Sequence, residues 1–325
     1  MTVLRVSQRM SRKIIRRGLI GMLGSYALFS LVAGIMLAEF SLKLPRRPIS
    51  DSYRQLVYQR VAIDHARLED ASIRAKDGIL LRGWFVKPDA GNGSVVVLLH
   101  GVTDNRLGMA GYGDFLLQHG YSVLLPDARD HGESEGHLAS YGLREGEDVH
   151  KWVDWIYQKH PPNCVYGLGE SMGAAILLQS LGSEKRFCAV VAESSFADFR
   201  EGAYDRVSHY TGSATTIGAR TLLRPAIEIG VMYARLRYGL NLTTVSPRQA
   251  VADSATPVLL IHGAIDVNIR PRNSELIHKA SLDHSVLWEV PMAAHCGAWS
   301  TAPHEFEARL LSFFSEHSTR PNLRG

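Results

Sequence analysis

The pattern of apolar and polar positions predicts an apolar N-terminal segment followed by alternating strands and helices. Five mainly apolar runs recur along the chain, at residues 95–99, 121–125, 165–168, 189–192 and 258–261. Runs without apolar–polar alternation suit strands that are buried on both faces of a parallel sheet. Helical patterns separate these runs, so the sequence predicts an α/β fold with a mostly parallel, doubly wound sheet.

Further elements are expected before these runs and within the alternating pattern. Residues 72–88 indicate a β-hairpin around the turn Lys76-Asp77-Gly78. Residues 196–246 contain at least two helical segments where a short connection would suffice, which predicts a helical cap insertion. The main helices are expected at residues 145–158, 171–181, 274–280 and 305–314.

The apolar N-terminal segment at residues 18–40 carries only Tyr26 and Glu39 as ionisable groups. A helix of that length can cross a hydrocarbon core of about 30 Å. The segment is longer than the core of a secretory signal, and no clear A-x-A cleavage site follows, so we expect an uncleaved transmembrane anchor.

The basic residues before the anchor outnumber those that follow it. Positive residues concentrate on the cytoplasmic side of membrane spans, so the N-terminus is expected in the cytoplasm and the main domain outside it. The basic residues before the anchor are Arg5, Arg9, Arg12, Lys13, Arg16 and Arg17, and those after it are Lys43, Arg46 and Arg47.

These patterns divide the chain into five parts. They are a basic cytoplasmic tail (1–17), the anchor (18–40), a connector (41–70), one α/β domain that includes the cap (71–318) and a short tail (319–325). A chain of 325 residues with 46% hydrophobic residues is long enough to bury one large core.

The charge and the cysteines refine this picture. The net charge of +4 owes much to the N-terminal tail, which indicates a lipid bilayer as partner and not a nucleic acid. Cys164, Cys188 and Cys296 have no paired spacing, so we expect buried free thiols rather than a disulfide.

The clearest chemical motif is Gly169-Glu170-Ser171-Met172-Gly173, which lies between a predicted strand and a predicted helix. This context is typical of a nucleophile elbow, in which a sharp turn exposes the serine hydroxyl. A glycine-rich turn without chemistry and a dinucleotide-binding loop are the alternatives. The dinucleotide motif would need its third glycine at Met172.

A nucleophilic serine requires a histidine as base and a carboxylate that orients the histidine. In this fold the chain order is serine, acid, histidine. Asp266 follows the apolar run at 258–261, and His295 follows the next strand, so we expect these two residues to complete a triad with Ser171. His284 and His304 are alternatives for the histidine, although His284 lies at the start of a strand.

The oxyanion formed by attack on a carbonyl group requires backbone N–H donors. One donor is expected at Met172, directly after the nucleophile. The second is expected at Val102, in the loop that follows the run at 95–99. The alternative is that the preceding His100-Gly101 pair forms only a tight turn without chemistry.

Together these residues resemble the α/β-hydrolase superfamily over residues 70–316, and they are similar to BEM46-like and propeller-less prolyl-oligopeptidase-like bacterial serine hydrolases. The segments HGVTDNR from His100, DARDHGESEG from Asp127 and ESSFADFRE from Glu193 carry this likeness beyond the triad. The resemblance implies structural roles for Asp127, Arg129, His131 and Ser134, and it implies that Glu193 and Ser194 support the site.

The expected function is hydrolysis of a small-molecule ester or thioester, including lipid-like esters, without a metal or other cofactor. Apolar residues of the insertion, such as Leu222 and Ile227, either line an acyl pocket or pack ordinarily against the sheet. A peptidase or amidase with the same triad is the alternative enzyme. A membrane-tethered binding protein without catalysis is the alternative from another class.

Overall fold

The computed structural model describes residues 2–63, 65–212 and 220–319. Within these residues one eight-stranded sheet has the order β1-β2-β4-β3-β5-β6-β7-β8. β2 pairs antiparallel with β1 and β4, and the other pairings are parallel. The predicted hairpin and the mostly parallel sheet are therefore confirmed. The strands are β1 (Ala66–Arg74), β2 (Leu80–Pro88), β3 (Val95–Leu99), β4 (Ser122–Pro126), β5 (Val165–Glu170), β6 (Phe187–Glu193), β7 (Val258–Gly263) and β8 (Ser285–Val290).

Helices cover both faces of the sheet, because its central strands carry apolar side chains on both sides. In β3, Val96 and Leu98 belong to one buried cluster, whereas Val95 and Val97 belong to the cluster on the opposite face. The helices are α1 (Thr2–Leu42), α2 (Asp51–Ile63), α3 (Ala110–Gln118), α4 (Glu145–Lys159), α5 (Met172–Ser180), α6 (Phe199–Tyr210), α7 (Arg224–Tyr238), α8 (Pro247–Ala252), α9 (Arg272–Lys279), α10 (Ala298–Thr301) and α11 (Pro303–Glu316).

The N-terminal helix α1 is long and apolar enough between Lys13 and Leu42 to cross a membrane. It packs lengthwise against α7. α6 and α7 lie within the predicted cap insertion, of which residues 213–219 lie outside the described part of the chain. Met1 of the predicted basic tail and residues 320–325 of the predicted C-terminal tail also lie outside it.

A disulfide joins Cys164 and Cys188, whose Cα atoms are 5.8 Å apart. The prediction of free thiols was therefore wrong for this pair. Cys164 immediately precedes β5 and Cys188 lies in β6, and these strands are neighbours in the sheet. The strand order thus brings together two cysteines that are 24 residues apart in sequence. Cys296 is a free thiol, as predicted, but it is half-buried and not fully buried.

Candidate active site

Ser171 occupies a sharp turn between β5 and α5, with φ 51° and ψ −113°. A positive φ is unfavourable for a residue with a side chain, and such strain is common at functional sites. The flanking glycines allow the close packing around this turn. A Cβ atom on Gly173 would lie 2.1 Å from the carbonyl oxygen of Leu99, and one on Gly169 would lie 2.7 Å from the backbone of Gly173. The motif therefore forms the expected elbow.

The three residues selected from the sequence lie within hydrogen-bonding distance of one another. His295 Nε2 is 2.8 Å from Ser171 Oγ, and His295 Nδ1 is 2.6 Å from Asp266 Oδ2. These side chains come from the loops that follow β5, β7 and β8, which meet at one edge of the sheet. Because the carboxylate accepts from Nδ1–H, Nε2 is left to accept the proton of the serine hydroxyl.

Asp266 is held in place through both carboxylate oxygens. Oδ1 accepts hydrogen bonds from the amides of Asn268 (2.9 Å) and Ile269 (3.1 Å). His262 Nε2 lies 3.4 Å from Oδ2. Burial alone would raise the pKa of Asp266, but the hydrogen bonds from His262 and His295 outweigh it and hold the pKa well below its usual range. Asp266 is therefore a carboxylate at neutral pH.

The loop that carries His295 is attached to the end of β6. Glu193 Oε1 accepts the amide proton of Ala298 at 2.8 Å, and Ser194 Oγ accepts that of Cys296 at 3.2 Å. Both contacts are made by residues that follow the histidine in sequence. Glu193 and Ser194 thus support the site from the next strand end, as the resemblance implied.

Two carboxyl groups, those of half-buried Glu170 and buried Glu193, meet at Tyr112 next to the elbow, and the sequence did not indicate this contact. Tyr112 Oη is 2.5 Å from Glu170 Oε1 and 3.2 Å from Glu193 Oε2. Burial raises the pKa of Glu193 to about 7, and it also raises the pKa of Glu170. The amide of Ser171 donates to the carbonyl oxygen of Glu193, so this pair adjoins the backbone of the nucleophile.

Val102 and Met172, the expected oxyanion donors, line the same cavity as Ser171. Among the residues that the structure describes, neither amide makes a turn or loop hydrogen bond to the backbone. The loop of Val102 is fixed by His100, whose Nδ1 is 2.8 Å from the carbonyl oxygen of Gly101 and whose Nε2 accepts from the amide of Ala128. Burial lowers the pKa of His100, which favours this neutral form.

The residues expected to be structural hold the neighbouring loop. Asp127 Oδ2 bonds to Arg106 at 2.6 Å, and Arg129 makes two hydrogen bonds of 2.7 Å to Asp148. The hydroxyl of Ser134 donates to the carbonyl oxygen of Asp127. His131 is buried, and its Nδ1 is bonded to the carbonyl oxygen of Arg129.

The alternative histidines lie elsewhere. His284 precedes β8, at the opposite end of this strand from His295, and its Nε2 is bonded to the carbonyl oxygen of Val251. His304 is exposed in the first turn of α11. Neither is hydrogen-bonded to Ser171 or Asp266 in the contacts of the described residues.

A cavity of about 600 Å³ opens beside Ser171. Its walls come from α6, α7 and the C-terminal end of α1, and they are mainly apolar. Its size lies within the range of small-molecule binding pockets. In the part of the chain that the structure describes, no group of three or more His, Cys, Asp or Glu residues is arranged to hold a metal ion.

The family described as serine aminopeptidase, S33, matches residues 91–221, a segment that contains the elbow and Val102. The Pyrococcus furiosus esterase Pf2001 has a similar structure, with a TM-score of 0.66 over 84% of this chain and 98% of the esterase, at 23% identity. The chain therefore has the α/β-hydrolase fold.

Other α/β hydrolases and uncharacterised relatives are also similar. The Pyrococcus horikoshii acylaminoacyl peptidase covers 86% of this chain with a TM-score of 0.59 and 16% identity, and 45% of the peptidase is matched. In sequence, the uncharacterised protein YqkD of Bacillus subtilis (strain 168) is 29% identical over 73% of this chain and 75% of its own length. The uncharacterised protein YfhR of Escherichia coli (strain K12) is 24% identical over 71% of this chain and 75% of its own length. The matches as a whole support hydrolase activity.

Proposed function

We propose that this α/β hydrolase cleaves carboxylic esters or thioesters through an acyl-enzyme formed on Ser171. The observation that carries the proposal is the hydrogen-bonded series Ser171–His295–Asp266 beside an apolar cavity. An activated serine next to such a cavity suits a substrate with an apolar acyl group.

In the proposed mechanism Ser171 Oγ attacks the carbonyl carbon while its proton moves to His295 Nε2. The amides of Val102 and Met172 donate to the oxyanion of the tetrahedral intermediate. His295 then protonates the departing alcohol or thiol, and the acyl group remains on Ser171. Water, deprotonated by His295, attacks this acyl-enzyme, and the acid leaves as the serine regains its proton. Asp266 stays ionised and stabilises the imidazolium in both halves.

Amide or peptide cleavage is the second candidate, because the matching family is described as serine aminopeptidases and a similar structure is an acylaminoacyl peptidase. The same triad would protonate an amine leaving group. A comparison of p-nitrophenyl butyrate with butyryl p-nitroanilide separates the two activities, since the acyl groups are identical. We expect the ester to be hydrolysed faster than the anilide by a much larger factor than their difference in intrinsic reactivity. A preference for the anilide would identify an amidase.

The role of Ser171 is tested by ester hydrolysis with the full chain. Ser171→Ala should abolish turnover, whereas Ser300→Ala, which changes an exposed serine of α10, should retain it. A folded wild-type protein that hydrolyses neither the ester nor the anilide would contradict the proposal and favour the binding protein without catalysis.

We further propose that residues 18–40 anchor the catalytic domain, residues 71–318, on the outer face of the cytoplasmic membrane. The basic residues that precede the apolar segment 18–40 favour a cytoplasmic N-terminus. The Cys164–Cys188 disulfide supports the same orientation, because disulfides persist mainly in oxidising compartments. Protease added to intact spheroplasts should remove the domain but spare an N-terminal tag, and a protected domain would contradict this orientation.

A further inference from the structure

The last turns of α1 form one wall of the cavity beside Ser171. Leu37, Ala38, Ser41 and Leu42 line it from this helix. Other parts of the lining come from α6 and α7 and include Ala203, Val207, Ile227 and Val231. The helix proposed as an anchor therefore also contributes to the candidate substrate pocket.

This wall is held by close helix–helix packing. A Cβ atom on Gly34 would lie 2.5 Å from the carbonyl oxygen of Ala226, and one on Gly230 would lie 2.8 Å from that of Gly34. Small residues recur four positions apart on both helices, at Gly34 and Ala38 of α1 and at Ala226, Gly230 and Ala234 of α7. Such spacing allows the backbones of membrane helices to approach closely.

Hydrogen bonds also tie the end of α1 to the catalytic domain. The hydroxyl of Tyr141 donates to the carbonyl oxygen of Ser41 at 2.6 Å, and the amide of Ala139 donates to that of Leu42 at 2.9 Å. Tyr233 of α7 donates to the carboxylate of Glu39 at 2.7 Å. The position of the wall relative to Ser171 is thus fixed by the fold and not only by a flexible tether.

The exposed side of this wall carries large apolar side chains, together with the exposed arginines Arg224, Arg235 and Arg237 of α7. Met36 of α1 is 51% exposed, and Phe40, which also lines the cavity, is 72% exposed. On the adjacent helix α7, Met232 and Leu236 are 53% and 79% exposed. Exposed apolar groups on two adjacent helices form a surface suited to lipid.

The depth of the cap in the bilayer follows from the position at which α1 contacts it. The hydroxyl of Tyr26 donates to the carbonyl oxygen of Leu222 at 2.6 Å. Among the hydrogen bonds of the described residues, this contact between α1 and the cap lies nearest the N-terminus, and residues 18–25 of the proposed anchor rise about 12 Å before it. A hydrocarbon core is about 30 Å thick, so an α1 that crosses it from residue 18 carries the start of α7 into the bilayer.

The lining of the cavity carries little charge. Arg206 is the charged residue among the described lining residues. Its guanidinium bonds to the hydroxyl of the exposed Tyr210 at 2.6 Å and to Asn268 Oδ1 at 3.2 Å. This arrangement leaves the space between α1, α6 and α7 for an apolar chain.

We infer that α1 is a substrate-binding element and that the substrates are membrane-resident esters with long acyl chains, which reach Ser171 from the bilayer along α1. The inference rests on the proposed ester hydrolysis and specifies its substrate class. It also gives the insertion a role as an acyl-binding cap, one of the two readings that the sequence left open.

The test uses the full chain in nanodiscs of ether-linked phosphatidylcholine, whose chains are not esters. Initial rates are measured with p-nitrophenyl esters of four, eight and twelve acyl carbons. Burial of each methylene group improves kcat/KM about fourfold where the pocket accepts it, so the eight-carbon ester should exceed the four-carbon ester by more than tenfold.

Leu37→Trp fills the pocket from α1, and it should lower the ratio of twelve-carbon to four-carbon kcat/KM at least tenfold. Met36→Trp is the matched control, because Met36 is exposed on the same helix and does not line the cavity. This control should keep the ratio within about twofold of the wild type. Each ester partitions into lipid to the same extent for all variants, so a difference between their chain-length ratios of kcat/KM reflects a change in the pocket.

Leu37→Gln, with Met36→Gln as its control, repeats the test without added bulk and serves if the tryptophan variant does not fold. Equal chain-length ratios for the Leu37 and Met36 variants would overturn the inference. If the wild type hydrolyses the four-carbon ester through Ser171 while these ratios stay equal, only the inference fails. An absence of Ser171-dependent turnover with every ester would instead reject the proposed function.

Discussion

Both carboxylate oxygens of Asp266 accept hydrogen bonds, and Oδ2 accepts the one from His295. Its hydrogen-bond partners keep it ionised despite its burial, so it can fix the tautomer in which His295 Nε2 accepts a proton. The residue-scale consequence is that the charge of Asp266, and not only its size, should matter for catalysis.

We expect Asp266→Asn to lower kcat about 10³- to 10⁴-fold near pH 7. The amide of asparagine carries no negative charge, so it cannot stabilise the imidazolium as the carboxylate of Asp266 does. Steady-state ester hydrolysis measures the loss, and Asp283→Asn, which changes an exposed carboxylate, should leave the rate unchanged. Retention of more than a tenth of the wild-type kcat by Asp266→Asn would remove Asp266 from the mechanism.

Glu193 should make the stability of the fold depend on pH. Its pKa is raised from 4.5 to about 7 in the folded state, so the folded protein binds more protons than the unfolded chain between these values. Stability should therefore fall as pH rises from about 5 to 8, by about 2 kcal/mol from this group.

Glu193→Gln should remove that part of the pH dependence while keeping an acceptor for the amide of Ala298. Urea unfolding at several pH values measures it, with Glu289→Gln as the control at an exposed position. Parallel stability curves for the wild type and Glu193→Gln would show that Glu193 is ionised throughout this range.

The sequence allowed Ser171, Asp266 and His295 to be selected because each follows a recognisable strand in the expected order. It did not indicate His262, which contacts Asp266, because this histidine ends the apolar run of β7 and resembles a core residue. The contact of Tyr112 with Glu170 and Glu193 was also missed, since it joins residues that are 58 and 81 positions apart.

At the scale of elements, the elbow depends on the close approach of α5 to β3. A side chain on Gly173 would collide with the backbone of Leu99, which a flexible side-chain movement cannot relieve. We expect Gly173→Ala to destabilise the fold by about 3 kcal/mol and to abolish activity. Urea unfolding provides the measurement.

Gly182→Ala is the matched control for this substitution. Gly182 follows the same helix, and an added Cβ atom would meet its nearest neighbour at 3.5 Å, an ordinary contact. The control should retain activity and lose little stability. A Gly173→Ala variant as stable and active as the control would contradict the close packing at the elbow.

The disulfide links two neighbouring strands, and its removal should affect stability more than activity. Closing a loop of this length restricts the unfolded chain, so Cys164→Ala/Cys188→Ala should cost about 3 kcal/mol. Dithiothreitol should destabilise the wild type by a similar amount and leave the double variant unaffected. An unfolding midpoint of the wild type that does not respond to the reductant would contradict the bond.

Most strands were predictable because a buried parallel strand is an uninterrupted apolar run, and β3 has the predicted bounds Val95–Leu99. Helix α3 and the disulfide were not predicted. The disulfide depends on the pairing of β5 with β6, which is set by the order of strands in the sheet and leaves no local spacing pattern.

At the scale of the whole molecule, the sequence indicated an anchor and a hydrolase-like domain as separate parts. In the structure α1 instead packs along α7 and reaches the cavity of Ser171. Gly34 and Gly230 carry this packing, but small residues at a spacing of four do not by themselves identify their partner helix. Tertiary packing was therefore needed to connect the anchor with the site.

The central claim is that Ser171 is an activated nucleophile in the intact protein. Reaction of the full chain with a fluorophosphonate, followed by intact mass and peptide mass spectrometry, tests it most directly. The account predicts one added phosphonyl group, located on Ser171, and much slower reaction of the Asp266→Asn variant. A folded protein that remains unmodified, or that is modified at another residue while Ser171 stays free, would contradict it.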